Sequence, residues 1–401
     1  MRRIRPAWIC LLLATVLQLS LYGAYLVSYV RSGQVRGADF RWFYAVGMAM
    51  RQDGPGSAYD LRLAGIEQAR VAGKPVGTEA LLLPNHPPFV FPLMALLAGL
   101  EYSSAYLVNF LLTYLVTALV LVRLARELRA RGWRAFERLA FLAGLLLFEP
   151  FFISALKGQD TYLLLIGGLL LFAGFQKERD WLAGLGLALT LVRPQVALVL
   201  ALPFLFDRRR VFWWFLAGGL AFGLLSFALV GWNGAQQFVA VLRLSTGVQG
   251  YDADEKAMVD SVGLLLRLLP GLGLETIHAL GWGLFGAATV GACLAWRFAR
   301  PVRLWHLCLS LVLALFAAPH LHYHDLAVLA APLAAVALLA VRRGRLTRPQ
   351  AAAALTGVSL LFLFGEFWDP ARLSLPYLVL LGVPLAAAWL ARPLPAGEVG
   401  A

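Results

Sequence analysis

The stretch WICLLLATVLQLSLYGAYLVSYV, residues 8–30, is preceded by Arg2, Arg3 and Arg5 and followed by Arg31. As a helix rising about 1.5 Å per residue it spans roughly 35 Å, enough for a hydrocarbon core about 30 Å thick. The runs Leu139–Leu156 and Leu280–Trp296 are equally apolar, and of the 401 residues 60% are hydrophobic and only 14% charged. A soluble chain carries about a quarter charged residues, so an ordinary soluble enzyme is excluded and the solvent is a bilayer. The first run is long and shows no small-residue cleavage site, so it is expected as a retained span and not as a signal peptide. Cys10, Cys293 and Cys308 lie in apolar runs without CxxC or Cys/His spacing. Neither a disulfide framework nor a cysteine-built zinc site is expected.

The formal charge of +13 is concentrated at Arg2/Arg3/Arg5, Arg123–Arg138, Lys177/Arg179, Arg208–Arg210, Arg297/Arg300/Arg303 and Arg342–Arg348, each a short break between apolar runs. That is the pattern of cytoplasmic loops in a polytopic protein, not of a nucleic-acid groove, and no nucleic-acid partner is expected. Placing every cluster in the cytoplasm sets the parity. Residues 8–30 run outward, 31–102 form a large outer loop, 104–122 return, 139–156 run out and 161–175 come back. Residues 182–206 are read as a broken hairpin with its apex at Arg193-Pro194, where proline ends or kinks a helix; a re-entrant hairpin and two short spans both fit. Then 211–231 go out, 232–261 form a second outer loop, and 276–298, 304–318, 325–341, 351–367 and 375–391 alternate, leaving 393–401 as a short tail. Residues 87–100 are too few to span comfortably and are placed along the outer interface. The expectation is an all-α polytopic membrane protein: one integral domain over 1–401, a helical bundle of about 10–12 transmembrane segments, ten of them full spans. It sits in the cell membrane with both termini cytoplasmic. No internal repeat is evident.

The parity carries Asp39, His86, Lys157-Gly158-Gln159-Asp160, Arg193 and His320/His322/His324/Asp325 to the outer face or open toward it. Such polar residues are what a membrane protein has least reason to keep. Asp39 precedes Phe40, Phe43, Tyr44 and Gly47 at helical spacing, so it reads as an N-cap. The functional alternative is a general base, because aromatic neighbours at a membrane surface desolvate a carboxylate and raise its basicity; taken alone the cap is the better reading. Lys157 and Gln159 exceed what a turn needs and suit a phosphate or a sugar, whereas Asp160 or Thr161 could cap the next helix. Arg193 is the sole charge between Trp181 and Phe206. It is either a buried ion pair, with Asp160 or Glu149, or a phosphate clamp, and the clamp is preferred. In an extended loop His320, His322 and His324 share a face. With Asp325 they fit a metal site, a phosphate site, or simple interfacial histidines. Pro84-Asn85-His86-Pro87-Pro88 is a rigid entry turn whose His86 is placed at the site. Trp232, Arg243, Tyr251, Asp252, Asp254 and Glu255 of the second outer loop suit an acceptor but are unspecific.

Taken together, Asp39-Phe40 with Phe43-Tyr44, Tyr59-Asp60, Pro87-Pro88-Phe89, Gly158-Gln159, Arg193-Pro194-Gln195 and Pro319 followed by the His/Asp cluster resemble glycosyltransferase family 87 in order over about residues 20–340. Arg193 stands where lysine is common in that family, and Asp160 where asparagine is. The resemblance implies a GT-C type fold and an inverting transferase. Such an enzyme moves a hexose or pentose, mannose favoured, from a polyprenyl-phosphate sugar to a lipid-linked or glycan acceptor at the outer face, with membrane lipids as its other partners. It implies Asp39 as the base and Arg193, Lys157, His322 and His324 around the donor phosphate. Gln159, Asp160, Gln195, His86, Tyr44 and Asp325 are assigned to substrate. No cofactor is called for, and a divalent metal is optional. The rival from another class is a secondary transporter or lipid flippase with an intramembrane Arg/His site. Such a protein is expected to show matching broken segments in two halves and polar residues toward both faces; here they gather on one.

Overall fold

In lipid every backbone N–H and C=O must be satisfied within the protein, which leaves a chain of apolar runs the helix. The computed structural model describes residues 6–77, 80–245, 255–366 and 369–392, and no strand occurs among them. Arg2, Arg3 and Arg5, the acceptor candidates Tyr251, Asp252 and Asp254, and the tail 393–401 lie outside the described residues. The helices are α1 (Pro6–Arg31), α2 (Phe40–Asp53), α3 (Leu61–Ala72), α4 (Phe91–Leu97), α5 (Tyr102–Ala130), α6 (Ala135–Leu146), α7 (Glu149–Lys157), α8 (Thr161–Gln176) and α9 (Asp180–Leu189). They continue as α10 (Pro194–Ala201), α11 (Arg209–Ser245), α12 (Ser261–Leu268), α13 (Leu274–Phe298), α14 (Leu304–Ala317), α15 (Ala330–Arg342), α16 (Arg348–Glu366) and α17 (Asp369–Leu390).

The chain is an all-α polytopic membrane protein. Five helical segments are long and apolar enough to cross a bilayer, namely Trp8–Arg31, Tyr102–Ala130, Arg209–Ser245, Leu274–Phe298 and Tyr323–Arg342. A sixth is added if α6 and α7, bent by 52°, count as one span. Leu12, Leu111 and Leu224 on α1, α5 and α11 are exposed, as lipid-facing side chains are. The expected ten full spans are therefore not ten long helices. α8 and α14, with 16 and 14 residues, reach only roughly 24 and 21 Å. Each stops at one of the polar breaks that the sequence singles out: Gly158-Gln159-Asp160 before α8, and Pro319 to His322 after α14. The 182–206 stretch does fold as two short helices, α9 and α10, broken at Arg193-Pro194. The second outer loop differs from expectation, since α11 continues through it to Ser245 with a break only at Gly231 (φ 65°, ψ −169°). Its polar Asn233, Gln236 and Gln237 mask an apolar edge, from which Phe238 lies 5.0 Å from Tyr59.

Two devices position the site. The bend between α6 and α7 frees the Leu147 carbonyl, and α1 and α16 satisfy it: Gln18 Nε2 lies 2.7 Å away, Tyr22 Oη 3.0 Å and Ser359 Oγ 2.8 Å. This holds α7, and hence the Lys157–Asp160 turn beyond it. The other is close helix packing. A Cβ on Gly186 of α9 would stand 2.5 Å from Leu171 N of α8, and one on Gly167 of α8 would stand 2.6 Å from the Gly186 carbonyl. In a membrane such small-residue seams replace the hydrophobic drive between helices. Gly186→Val is therefore expected to destabilise the protein by about 1–3 kcal/mol, lowering its melting temperature in detergent. Gly223→Val, where nothing lies within 4 Å, should leave it unchanged.

Candidate active site

Asp39 opens α2, but its carboxylate makes no cap hydrogen bond. Instead Gln159 Nε2 donates to Asp39 Oδ2 at 2.8 Å. The contact depends on Gly158, which ends α7 at φ 72° and admits α2 so closely that a Cβ there would stand 2.5 Å from Phe40 Cβ. A left-handed backbone without a side chain is needed on both counts. The other carboxylate oxygen of Asp39 has no partner among the described residues and is not sealed off.

The centre of the cluster is Arg193, buried to 6% exposure. It lies outside both flanking helices (φ −128°, ψ 82°), as a residue before proline prefers. Its Nε donates to Asp325 Oδ1 at 2.8 Å, and its Nη1 lies 3.2 Å from Asp160 Oδ1 and 2.6 Å from His86 Nε2. Among the described residues its Nη2 has only the Gln159 Oε1 contact, at 3.5 Å. The ion-pair partners are thus Asp160 and Asp325. Glu149, the other sequence candidate, accepts from Tyr323 Oη instead at 2.8 Å. Asp160 does not cap α8 with its side chain; its Oδ1 faces Arg193 and lies 3.3 Å from His86 Nε2, while its Oδ2 is buried without a hydrogen-bond partner among the described residues.

His86 packs against the stacked rings of Trp42 and Phe43, with centroids 4.8 and 5.2 Å away, and Tyr59 Oη donates to its carbonyl at 2.7 Å. Its Nδ1 meets Asn85 Oδ1 at 3.0 Å, and Asn85 Nδ2 meets His320 Nε2 at 3.3 Å. Burial, then the neighbouring His322, holds the His320 imidazole down to about 3, so that ring is neutral and accepts from the amide. His320, His322 and His324 line up ring against ring, 5.3 and 5.7 Å between centroids. The period-two face is therefore present. Asp325, however, is turned to Arg193 and to the His322 backbone N–H at 3.1 Å, and among the described residues no group of three or more His, Cys, Asp or Glu is arranged to hold a metal ion.

Three assigned residues are placed differently. Tyr44 Oη donates to the Leu100 carbonyl at 2.8 Å and serves packing, because α2 turns it toward α4 and α5. Gln195 Nε2 donates to the Pro319 carbonyl at 3.3 Å, tying α10 to the histidine loop. Lys157 is half-buried at the end of α7 and pairs with none of the cluster's carboxylates. Asp260, which the sequence did not single out, caps α12, accepting from Gly263 N at 2.9 Å. Its second oxygen accepts the Leu321 N–H at 2.9 Å, so a fully buried carboxylate also anchors the histidine loop.

Removing Arg193 would strand two buried carboxylates. Arg193→Ala is expected to cost about 3–5 kcal/mol of stability, seen as a large drop in melting temperature. Adding Asp160→Asn and Asp325→Asn should recover part of it; a wild-type midpoint for Arg193→Ala alone would show the pairing to be wrong.

Five separate segments thus converge on one buried polar cluster, a site suited to hold an anion and to take a proton beside it. Searches of curated proteins and of solved structures give no match. The family model of glycosyltransferase family 87 matches residues 85–321, more than half of the chain. The match opens at Asn85 and takes in His86, Gln159, Asp160, Arg193 and Gln195, with Asp39 and His322–Asp325 flanking it. The chain belongs to glycosyltransferase family 87 and is a membrane glycosyltransferase.

Proposed function

We propose that the protein transfers a hexose or pentose, mannose favoured, from a polyprenyl-phosphate sugar to a lipid-linked or glycan acceptor at the outer face of the cell membrane. The observation that carries this reading is the Asp39–Gln159–Arg193 bridge, which sets a carboxylate with one free oxygen next to a guanidinium with one under-used edge. The acceptor hydroxyl gives its proton to Asp39 as its oxygen attacks the anomeric carbon. The bond from that carbon to the phosphate oxygen breaks with inversion, and the polyprenyl phosphate leaves with the electron pair. Its charge is met by the Nη2 edge of Arg193, by Lys157 and by His322 or His324. The cluster holds one guanidinium against the carboxylates of Asp39, Asp160 and Asp325, so Arg193 alone does not attract an anion. Lys157 and the helix N-termini at Thr161 and Pro194, each terminus carrying about half a positive charge, bring the local sum to about zero, so the phosphate is held by directed contacts and not by net charge. Gln159, Asp160, Gln195, His86 and Asp325 position these groups around the substrates. No step is assigned to a metal.

A general base contributes about 10²- to 10⁴-fold. Asp39→Asn is expected to lower transfer by that factor with unchanged melting temperature, measured on purified protein given polyprenyl-phosphate mannose, glucose or arabinose and an acceptor lipid extract, with product mass analysis. Wild-type turnover in the variant would remove Asp39 from the role. The sidedness has its own test. In a background with Cys10, Cys293 and Cys308 replaced by alanine, Ser32→Cys should react with an impermeant maleimide from outside intact cells, and Arg179→Cys only after permeabilisation. The reverse pattern would invert the topology.

A further inference from the structure

The candidate site lies at the N-terminal ends of α8 and α10. At the other end of the bundle α5, α8 and α15 leave a groove between them that the transfer reaction does not use. Ala331, Ala334, Ala335 and Leu338 lie at successive turns of α15 along it, facing Leu121 and Leu128 of α5. Those six side chains are buried and form its floor, while Val120 and Leu124 of α5 and Leu170 and Ala173 of α8, half-buried, line its open side. Its polar groups gather at the helix ends: Arg123, Arg131, Lys177 and Arg342, with Glu127 the one carboxylate, four positive charges less one, or +3. Three helix C-termini carry about half a negative charge each, roughly 1.5 together, so neutralising the helix dipoles accounts for half of this surplus at most. Glu127 is already taken by Lys177 and by Arg123, the latter at 3.7 Å. Among the described residues the Arg342 guanidinium bonds only the Gln176 amide oxygen, at 3.3 Å. The guanidinium of Arg131 makes no hydrogen bond or ion pair among the described residues. Both arginines also face an adjoining cavity of about 380 Å³, next to Trp133 and Arg348.

We propose that this groove binds an anionic glycerophospholipid, with an acyl chain along the half-buried apolar side chains of α5 and α8 and the headgroup phosphate between Arg131 and Arg342. The planar guanidinium fork matches phosphate oxygens two at a time, and the phosphate is the counter-ion that the pair lacks. A free phosphate ion would satisfy the arginines but leave the apolar furrow without an occupant, which is why a lipid is the better fit.

The test is native mass spectrometry of the full-length protein in detergent, titrated with palmitoyl-oleoyl phosphatidylglycerol, with the corresponding phosphatidylcholine, and with inorganic phosphate. Phosphatidylglycerol is expected to be retained at least tenfold better than phosphatidylcholine. Arg131→Glu, an exposed and unpaired position where folding is not at stake, should remove that preference, and Ala173→Trp, which fills the open side of the furrow, should lower retention at least tenfold. Arg62→Glu, exposed on α3 at the far end, should change nothing. Equal retention of the two lipids, a preference that survives Arg131→Glu, or inorganic phosphate displacing the lipid completely at equimolar concentration would each overturn the proposal.

Discussion

A guanidinium buried in an apolar bundle is the constraint around which the rest of this protein is arranged. Desolvating Arg193 costs several kcal/mol, and attraction to a partner offsets that only with close geometry and additional hydrogen bonds. Here two carboxylates from different parts of the chain, Asp160 and Asp325, lie within 3.2 and 2.8 Å, and His86 from a third segment completes the set. No regular helix could bring these groups to one point. The helices are interrupted at Gly158–Asp160, at Arg193-Pro194 and at Pro319–His322, and the interruptions are where the polar side chains sit. The short helices are thus the consequence of the site, and the site is why several apolar runs fall short of a full crossing.

Irregular backbone at membrane depth is tolerated only when buried in protein, and each break is covered accordingly. Phe40 closes on Gly158, Asp260 takes the Leu321 N–H, Gln195 takes the Pro319 carbonyl, and the bent α6–α7 joint is closed by Gln18, Tyr22 and Ser359. These supports come from α1, α2, α10, α12 and α16. The histidine loop is therefore not a free surface loop, and its orientation is set by elements distant in sequence.

That distinction marks what was legible in the chain. Polar residues in apolar runs are conspicuous, so Asp39, His86, Gln159, Asp160, Arg193 and Asp325 stood out and do converge. The break at Arg193-Pro194 was legible too, because proline acts locally. The use each side chain makes of its position was not. Asp39 and Asp160 both read as helix caps and neither caps, since a carboxylate within reach of a buried donor is worth more there than on a helix terminus. Tyr44 resembled a site residue but its hydroxyl answers the Leu100 carbonyl. Asp260 was hidden because one of its oxygens does what a capping aspartate ordinarily does, and only the fold shows where the other points. The continuation of α11 to Ser245 was obscured by polar residues that hide the edge carrying Phe238.

The link between Asp39 and Arg193 is an amide, and that choice has chemical content. A guanidinium set directly on Asp39 would occupy the oxygen that must receive a proton and bind it as an ion pair. Gln159 instead donates from Nε2 to Oδ2 and turns its own oxygen toward Arg193, 3.5 Å away. It carries no charge and takes up no proton. One carboxylate oxygen is thereby fixed in direction while the other stays free, and the positive charge is held one side-chain length from the base. In the proposed reaction the acceptor hydroxyl meets a carboxylate whose free oxygen is unpaired, while the leaving phosphate faces the guanidinium. Proton transfer and leaving-group stabilisation then act at two ends of a bridge that is tight at Asp39, 2.8 Å, and loose at Arg193, 3.5 Å, so that motion of Arg193 toward the phosphate need not draw the base away from the acceptor.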